Sequence, residues 1–177
     1  MACHDLRTPL ATISGFARTI QQNDDLADPL PRYLEMIVAA SDQMRDLLET
    51  LTTAVRIEGR RYEPVLVEAD TLELARAAAA SVEGARAEGE GASIQLDAET
   101  ITRSLAALAT CARRHGGVPE VTLRVSGRDL ELAPIGEAGE VILGNDLRDL
   151  GAAVAVRTIR ALGGSAAVDG DALRITL

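Results

Sequence analysis

The sequence contains no lysine; all 18 of its basic residues are arginine. A lysine Schiff base and a phosphate-binding P-loop lysine are therefore excluded. Tryptophan is also absent, and Phe16, Tyr33 and Tyr62 are the only aromatic residues, so there is no stacking platform for nucleobases. Basic charge is outweighed by 27 acidic residues, for a net charge of −9 and a pI near 4.7. A nucleic-acid binder needs a basic face to neutralise phosphates, so none is expected. Cysteine is scarce: Cys3 and Cys111 stand in no CxxC or Cys/His metal spacing and read as two reduced thiols. No apolar run approaches the ~20 residues that span a bilayer, and no secretion signal opens the chain. The expectation is a cytoplasmic protein without a membrane segment. What is present is enough apolar character, 47% of 177 residues, to pack one ordinary domain or two small ones.

The first sixty residues read as two helices. Leu6, Leu10, Ile13, Ala17 and Ile20 recur at helical spacing. After the loop Asn23–Ala27, Asp28-Pro29 suits a helix start, with aspartate as N-cap and proline at the first helical position. Leu30, Leu34, Ile37, Ser41, Met44, Leu48, Leu51 and Val55 then form a heptad seam. A hairpin of this kind cannot bury both sides of its seams alone. A dimer making a four-helix bundle is the expected solution, the alternative being a monomer packed on the second half. Gly59-Arg60-Arg61 breaks the pattern, which divides the chain into 1–58 and 62–177.

Beyond that break the pattern predicts a strand over Tyr62–Glu68, an alanine-rich helix over Asp70–Ala87 and a loop at Glu88-Gly89-Glu90-Gly91. A strand over Ser93–Asp97 and a helix over Glu99–His115, closed by Gly116-Gly117, come next. Val121–Val125 and Leu130–Ala133 read as a hairpin turning at Ser126-Gly127. Gly136–Gly139 reads as a turn. Leu150–Leu162 is a helix, and Ser165–Val168 with Ala172–Leu177 a final hairpin. The fold class is α+β: a helical hairpin followed by a two-layer α/β sandwich.

The most specific segment is His4-Asp5-Leu6-Arg7-Thr8-Pro9-Leu10. At ~100° per residue, Arg7, Thr8, Ala11, Gly15 and Arg18 share the helix face of His4, while Leu6, Leu10, Ile13 and Ile20 lie opposite. An imidazole on the polar face, flanked by small residues, leaves room for a docking partner. Asp5 could orient or deprotonate it for attack on a phosphoryl group. Thr8-Pro9 could instead be a helix start, with residues 1–7 frayed.

This heptapeptide, followed by a heptad hairpin, resembles the H-box and the dimerisation and phosphoacceptor domain of two-component sensor histidine kinases. The element order of 62–177 is similar to that family's ATP-binding domain. The resemblance implies that His4 is the phosphorylated residue and Asp5 its acid–base neighbour. It also implies that Thr8 helps place a water that dephosphorylates the partner receiver. In that family the first helix begins well ahead of the histidine, so here it is expected to start upstream of Met1 or to fray at His4.

The second half departs from the family's nucleotide-binding boxes. Cys111-Ala112-Arg113-Arg114-His115 is similar to the end of the asparagine box, with Cys111 at the position of the Mg²⁺-holding asparagine; a neutral thiol is a poor ligand for a hard cation. Leu132-Ala133-Pro134-Ile135-Gly136 lacks the adenine-reading aspartate. Asp149 stands where a glycine would meet phosphate, and a carboxylate there repels it. His115, at a helix end, reads as a cap. The expected activity is therefore a phosphorelay histidine phosphotransferase, with a degenerate kinase-like domain at 62–177. His4, Asp5 and Thr8 form its catalytic group, and Arg7, Ala11, Gly15 and Arg18 its partner-binding face. It needs no cofactor or metal of its own, since Mg²⁺ is expected on the receiver. The expected partners are response-regulator receiver domains and a second copy of the chain. The alternatives are a sensor kinase, truncated or intact, that phosphorylates His4 from ATP, and a non-catalytic receiver-binding scaffold.

Overall fold

Heptad patterning in the first third and alternating strands thereafter produce two compact units, Met1–Thr52 and Thr53–Leu177, which divide within the second helix. The structure is a computed structural model that describes the backbone of residues 2–22 and 29–177, with side chains from residue 10 onward. Helix α1 spans Ala2–Gln21 and α2 spans Leu30–Glu58. Because α1 is already helical at Ala2, Thr8-Pro9 is not its start; proline removes a single donor, and the turns on either side carry the helix through. The expected loop Asn23–Ala27 and cap Asp28 lie outside the described residues. Pro29 immediately precedes α2, and its carbonyl accepts from Tyr33 N–H at 3.2 Å.

The hairpin divides its seam in two. Leu10 and Ala17 in α1, with Leu34, Ser41 and Leu48 in α2, are buried. Ile13, Phe16 and Ile20 in α1, with Leu30, Ile37, Met44 and Leu51 in α2, stay exposed. The buried residues recur every seven positions, as one half of a heptad seam does. Across the hairpin, Arg18 Nη2 bonds both carboxylate oxygens of Asp42, at 3.2 and 3.0 Å.

The second unit continues with β1 (Val67–Asp70), α3 (Thr71–Ala80), β2 (Ala85–Gly91), β3 (Ser93–Leu96) and α4 (Ala98–Gly116). Then come β4 (Val121–Gly127), β5 (Asp129–Ala133), a 3₁₀ turn (Gly136–Ala138), α5 (Gly139–Ile142), α6 (Leu150–Ala161), β6 (Ser165–Asp169) and β7 (Ala172–Thr176). The main sheet has the order β2-β4-β5-β7-β6, with β2 and β4 parallel and the other pairs antiparallel. β1 and β3 form a separate antiparallel pair. Strand alternation sends Val121, Leu123, Val125, Leu130, Leu132, Leu173 and Ile175 inward, onto the buried faces of α3, α4 and α6. On the open face Arg124 pairs with Glu88 and Glu131 on the neighbouring strands. No described helix is long and apolar enough to cross a membrane.

Four expectations need correction. The helix expected over Asp70–Ala87 stops at Ala80, where the Ser81 hydroxyl donates to Ala78 O and Gly84 turns the chain at φ 72°. Residues 85–91, expected as helix end and loop, form β2, with Ala85 and Ala87 packed against the core. Alanine's helix propensity gave way there to pairing with β4. At Gly89 (φ 119°) a Cβ would lie 2.1 Å from Val125 O, so only glycine keeps the strand in place. The first strand begins at Val67, because Val65 N–H bonds the Asp97 side chain instead of a ladder partner. The Gly136–Gly139 turn is a 3₁₀ turn running into α5.

Candidate functional site

α1 carries His4, Asp5, Arg7 and Thr8 within its first two turns. Their side chains lie outside the described residues. Of the expected docking face, Ala11, Gly15 and Arg18 are described, and all three are exposed. A Cβ on Gly15 would meet open space. Arg18, besides its pairing with Asp42, bonds Ser14 Oγ through Nε at 3.4 Å, so it braces the two helices.

In the second unit, packing of α4 on α6 brings together three side chains far apart in sequence. Cys111 and His115 stand four residues apart, on one face of the last turns of α4. Asp149 is the N-cap of α6, its Oδ1 accepting from Ala152 N–H at 3.0 Å. One ligand atom from each of the three lies within 4.8 Å of the other two. Cys111 is fully buried, and burial, reinforced by the Asp149 charge, pushes its thiol up to about 12. His115 Nε2 is buried and forms no hydrogen bond, although Asp149 Oδ2 is 3.4 Å away. The exposed Arg114 also approaches that carboxylate, with Nη1 3.9 Å from Oδ2. Sequence reasoning kept these residues apart, taking Cys111 as an isolated thiol and His115 as a cap. The available signal was the Cys111-x-x-x-His115 spacing, which puts thiol and imidazole on one helical face.

The donor set bears on the Mg²⁺ and triphosphate that the sequence resemblance implies. A protonated, buried thiol is a poor Mg²⁺ ligand. The carboxylate of Asp149 already occupies the N-terminus of α6, where a phosphate would otherwise find free N–H groups. Beside them, Ile135, Ala138, Val141 and Ile142 are fully buried in the core around α4 and α6. Residues 111, 115 and 149 do not suit Mg²⁺ and a nucleotide phosphate.

A second buried carboxylate has a structural task. Asp97 caps α4 through Oδ1, which accepts from Thr100 N–H at 3.1 Å. Its Oδ2 accepts from the Tyr62 hydroxyl at 2.9 Å and from Val65 N–H at 3.1 Å. Burial acts to raise the carboxyl, but the bonds from Thr100, Tyr62 and Val65 outweigh it and hold the pKa below its ordinary value. Burial in turn raises the Tyr62 hydroxyl.

Residues 1–60 match the His Kinase A (phospho-acceptor) domain. That match covers the hairpin and not the α/β unit that follows it. The whole chain has the fold of solved histidine kinase structures. Full-length ShkA in complex with AMPPNP superposes with a TM-score of 0.73 at 21% identity, covering 98% of this chain. The Acinetobacter baumannii histidine kinase AdeS gives 0.60 at 21% identity, covering 98% of this chain and 95% of its own. The present chain spans 43% of the ShkA chain. No curated protein sequence matches it. The matched residues form the hairpin, and the Cys111–His115–Asp149 cluster lies in the α/β unit that follows it.

Proposed function

We propose that this chain belongs to the two-component histidine kinase family and works as a histidine phosphotransferase, exchanging phosphoryl groups between His4 and receiver-domain aspartates, without productive ATP binding. The observation that carries the reading is the contrast between its halves. A phospho-acceptor domain with an intact His4–Leu10 segment precedes a unit in which Cys111, His115 and Asp149 replace a phosphate- and Mg²⁺-compatible edge. A ring nitrogen of His4 attacks the phosphorus of a receiver aspartyl phosphate. The N–P bond forms as the P–O bond breaks, the receiver aspartate leaves as carboxylate, and Asp5 takes the imidazole proton. The receiver brings the Mg²⁺ that screens the transferring oxygens, so the transfer needs no cofactor from this chain. Thr8 places a water when the phosphoryl group is to be lost to hydrolysis.

The apolar stripe of Ile13, Phe16, Ile20, Ile37, Met44 and Leu51 is the surface on which two hairpins form a four-helix bundle. Arg7, Ala11, Gly15 and Arg18 then form part of the receiver-docking face, which Gly15 keeps low. A cytoplasmic site of action is part of this reading.

The test is transfer between two receivers. A labelled phospho-receiver is mixed with an unlabelled second receiver and catalytic amounts of the protein. Label passes to the second receiver with wild-type protein, passes through a phosphohistidine, and stops with His4→Ala. Transfer unaffected by His4→Ala, or none with wild type, contradicts the reading.

A further inference from the structure

We propose that Cys111, His115 and Asp149 form a binding site for a borderline transition-metal ion, zinc(II) being the best match, which clamps the C-terminal end of α4 to the N-terminal end of α6. It stands apart from the phosphotransfer reading and departs from the expectation that the chain holds no metal.

The donor set is the first argument. Thiolate, imidazole and carboxylate are the three side chains zinc takes in proteins, and a mixed S/N/O set favours zinc over magnesium or calcium. Zn–S near 2.3 Å and Zn–N and Zn–O near 2.0–2.2 Å place tetrahedral donor atoms roughly 3.4–3.7 Å apart. His115 Nε2 and Asp149 Oδ2 are 3.4 Å apart already. No separation in the cluster exceeds 4.8 Å, so side-chain rotation of about 1 Å completes the set.

The second argument is an unsatisfied atom. Buried polar nitrogens nearly always have a partner, yet His115 Nε2 has none. Its neighbours are a carboxylate oxygen and a thiol, both metal ligands. The cluster's supports fit as well. Asp149 Oδ1 is fixed by Ala152 N–H, which leaves Oδ2 to coordinate and orients it as an outer-shell bond should. The cation would sit beside the C-terminal carbonyls of α4, the end of a helix dipole that favours positive charge. Arg114 reaches Asp149 only at 3.9 Å and is mostly exposed, so it can swing away. Binding requires Cys111 to lose its proton, as any thiolate ligand does. A water or another small ligand would supply the fourth donor.

The test uses the full chain, with Zn²⁺ and Co²⁺ alone as probes. Chelator competition is expected to show one Zn²⁺ per chain, and a Cys3→Ser variant keeps it, which separates the site from Cys3 and His4. Co²⁺ should give a thiolate-to-metal charge-transfer band that survives Cys3→Ser and disappears in Cys111→Ser. Cys111→Ser, His115→Ala and Asp149→Asn should each weaken Zn²⁺ by at least the ~100-fold that loss of an outer-shell partner can reach. Asp149→Asn retains a capping oxygen, and His115 is near the surface at a helix end, so those two variants decide the matter if Cys111→Ser fails to fold. The thermal midpoint should rise with Zn²⁺ in wild type and stay fixed in the three variants. Wild type that binds no stoichiometric Zn²⁺, or binding lost with Cys3→Ser and kept in His115→Ala and Asp149→Asn, overturns the proposal.

Discussion

The hairpin and the α/β unit use apolar residues in opposite ways. In the α/β unit Leu105, Leu108, Leu123, Leu132, Ile159 and Leu173 are at or near zero exposure; Val65, Leu66, Val67 and Leu147 are its large exceptions, apart from Val55 in α2. In the hairpin, Ile13 is 50% exposed, Phe16 67% and Met44 47%. The α/β unit closes its core with its own chain, whereas the hairpin closes only half of its seam. The hairpin, which matches the phospho-acceptor domain, thus leaves a row of apolar residues exposed, while the α/β unit buries nearly all of its own.

The strongest way to break this comparison is through the α/β core. Leu105→Ala is expected to cost about 2–5 kcal/mol, with a denaturation midpoint independent of protein concentration, because the cavity forms wholly within one chain. Next in size is Met44→Glu. It changes an exposed residue, so it should leave the fold of a single chain nearly untouched. A buried charge in the bundle should nevertheless raise the dimer dissociation constant about 100-fold or more, as read by sedimentation. A dimer unchanged by Met44→Glu would remove the hairpin stripe from the interface.

A smaller effect separates capping from packing. Asp97→Asn keeps a capping oxygen but loses charged acceptors for Tyr62 and Val65, at a cost of about 1–2 kcal/mol near neutral pH. Asp97 has a folded pKa below its unfolded value of ~3.9. Its contribution is therefore complete above that value and is lost as pH falls through the folded pKa. Urea denaturation at a series of pH values should show the gap between wild type and variant closing in acid. Smallest of all, Arg18→Ala should cost no more than about 1 kcal/mol in thermal melts and should be masked by salt, because its pair with Asp42 is largely exposed.

Much of this architecture was legible because periodicity reports burial. The heptads of the hairpin and the helix ending at Gly116-Gly117 stand as expected, as do the strands meeting at Asp169-Gly170. Alternation failed where composition and context disagreed. Ala85–Gly91 has helix-forming residues, but Gly84 and Gly89 allow it to extend beside β4, a pairing visible only once β4 is placed. Tyr62–Leu66 has strand-forming residues, yet Asp97 takes its backbone donor at Val65. The candidate site divides likewise. His4-Asp5-Leu6-Arg7-Thr8-Pro9-Leu10 is a local motif and was visible in the chain without any tertiary structure. The cluster of Cys111, His115 and Asp149 was not, because Asp149 lies 34 residues beyond His115 and only the packing of α4 on α6 unites them.

The most direct measurement is one phosphorylation experiment with two donors, run on wild type and His4→Ala. The protein is incubated with labelled Mg-ATP and, separately, with labelled phospho-receiver domains. Acid-labile label on His4 from a receiver, and none from ATP, is the predicted result. Label arriving on His4 from Mg-ATP would contradict the account, and would mean that an α/β unit carrying Cys111 and Asp149 still delivers a nucleotide phosphate.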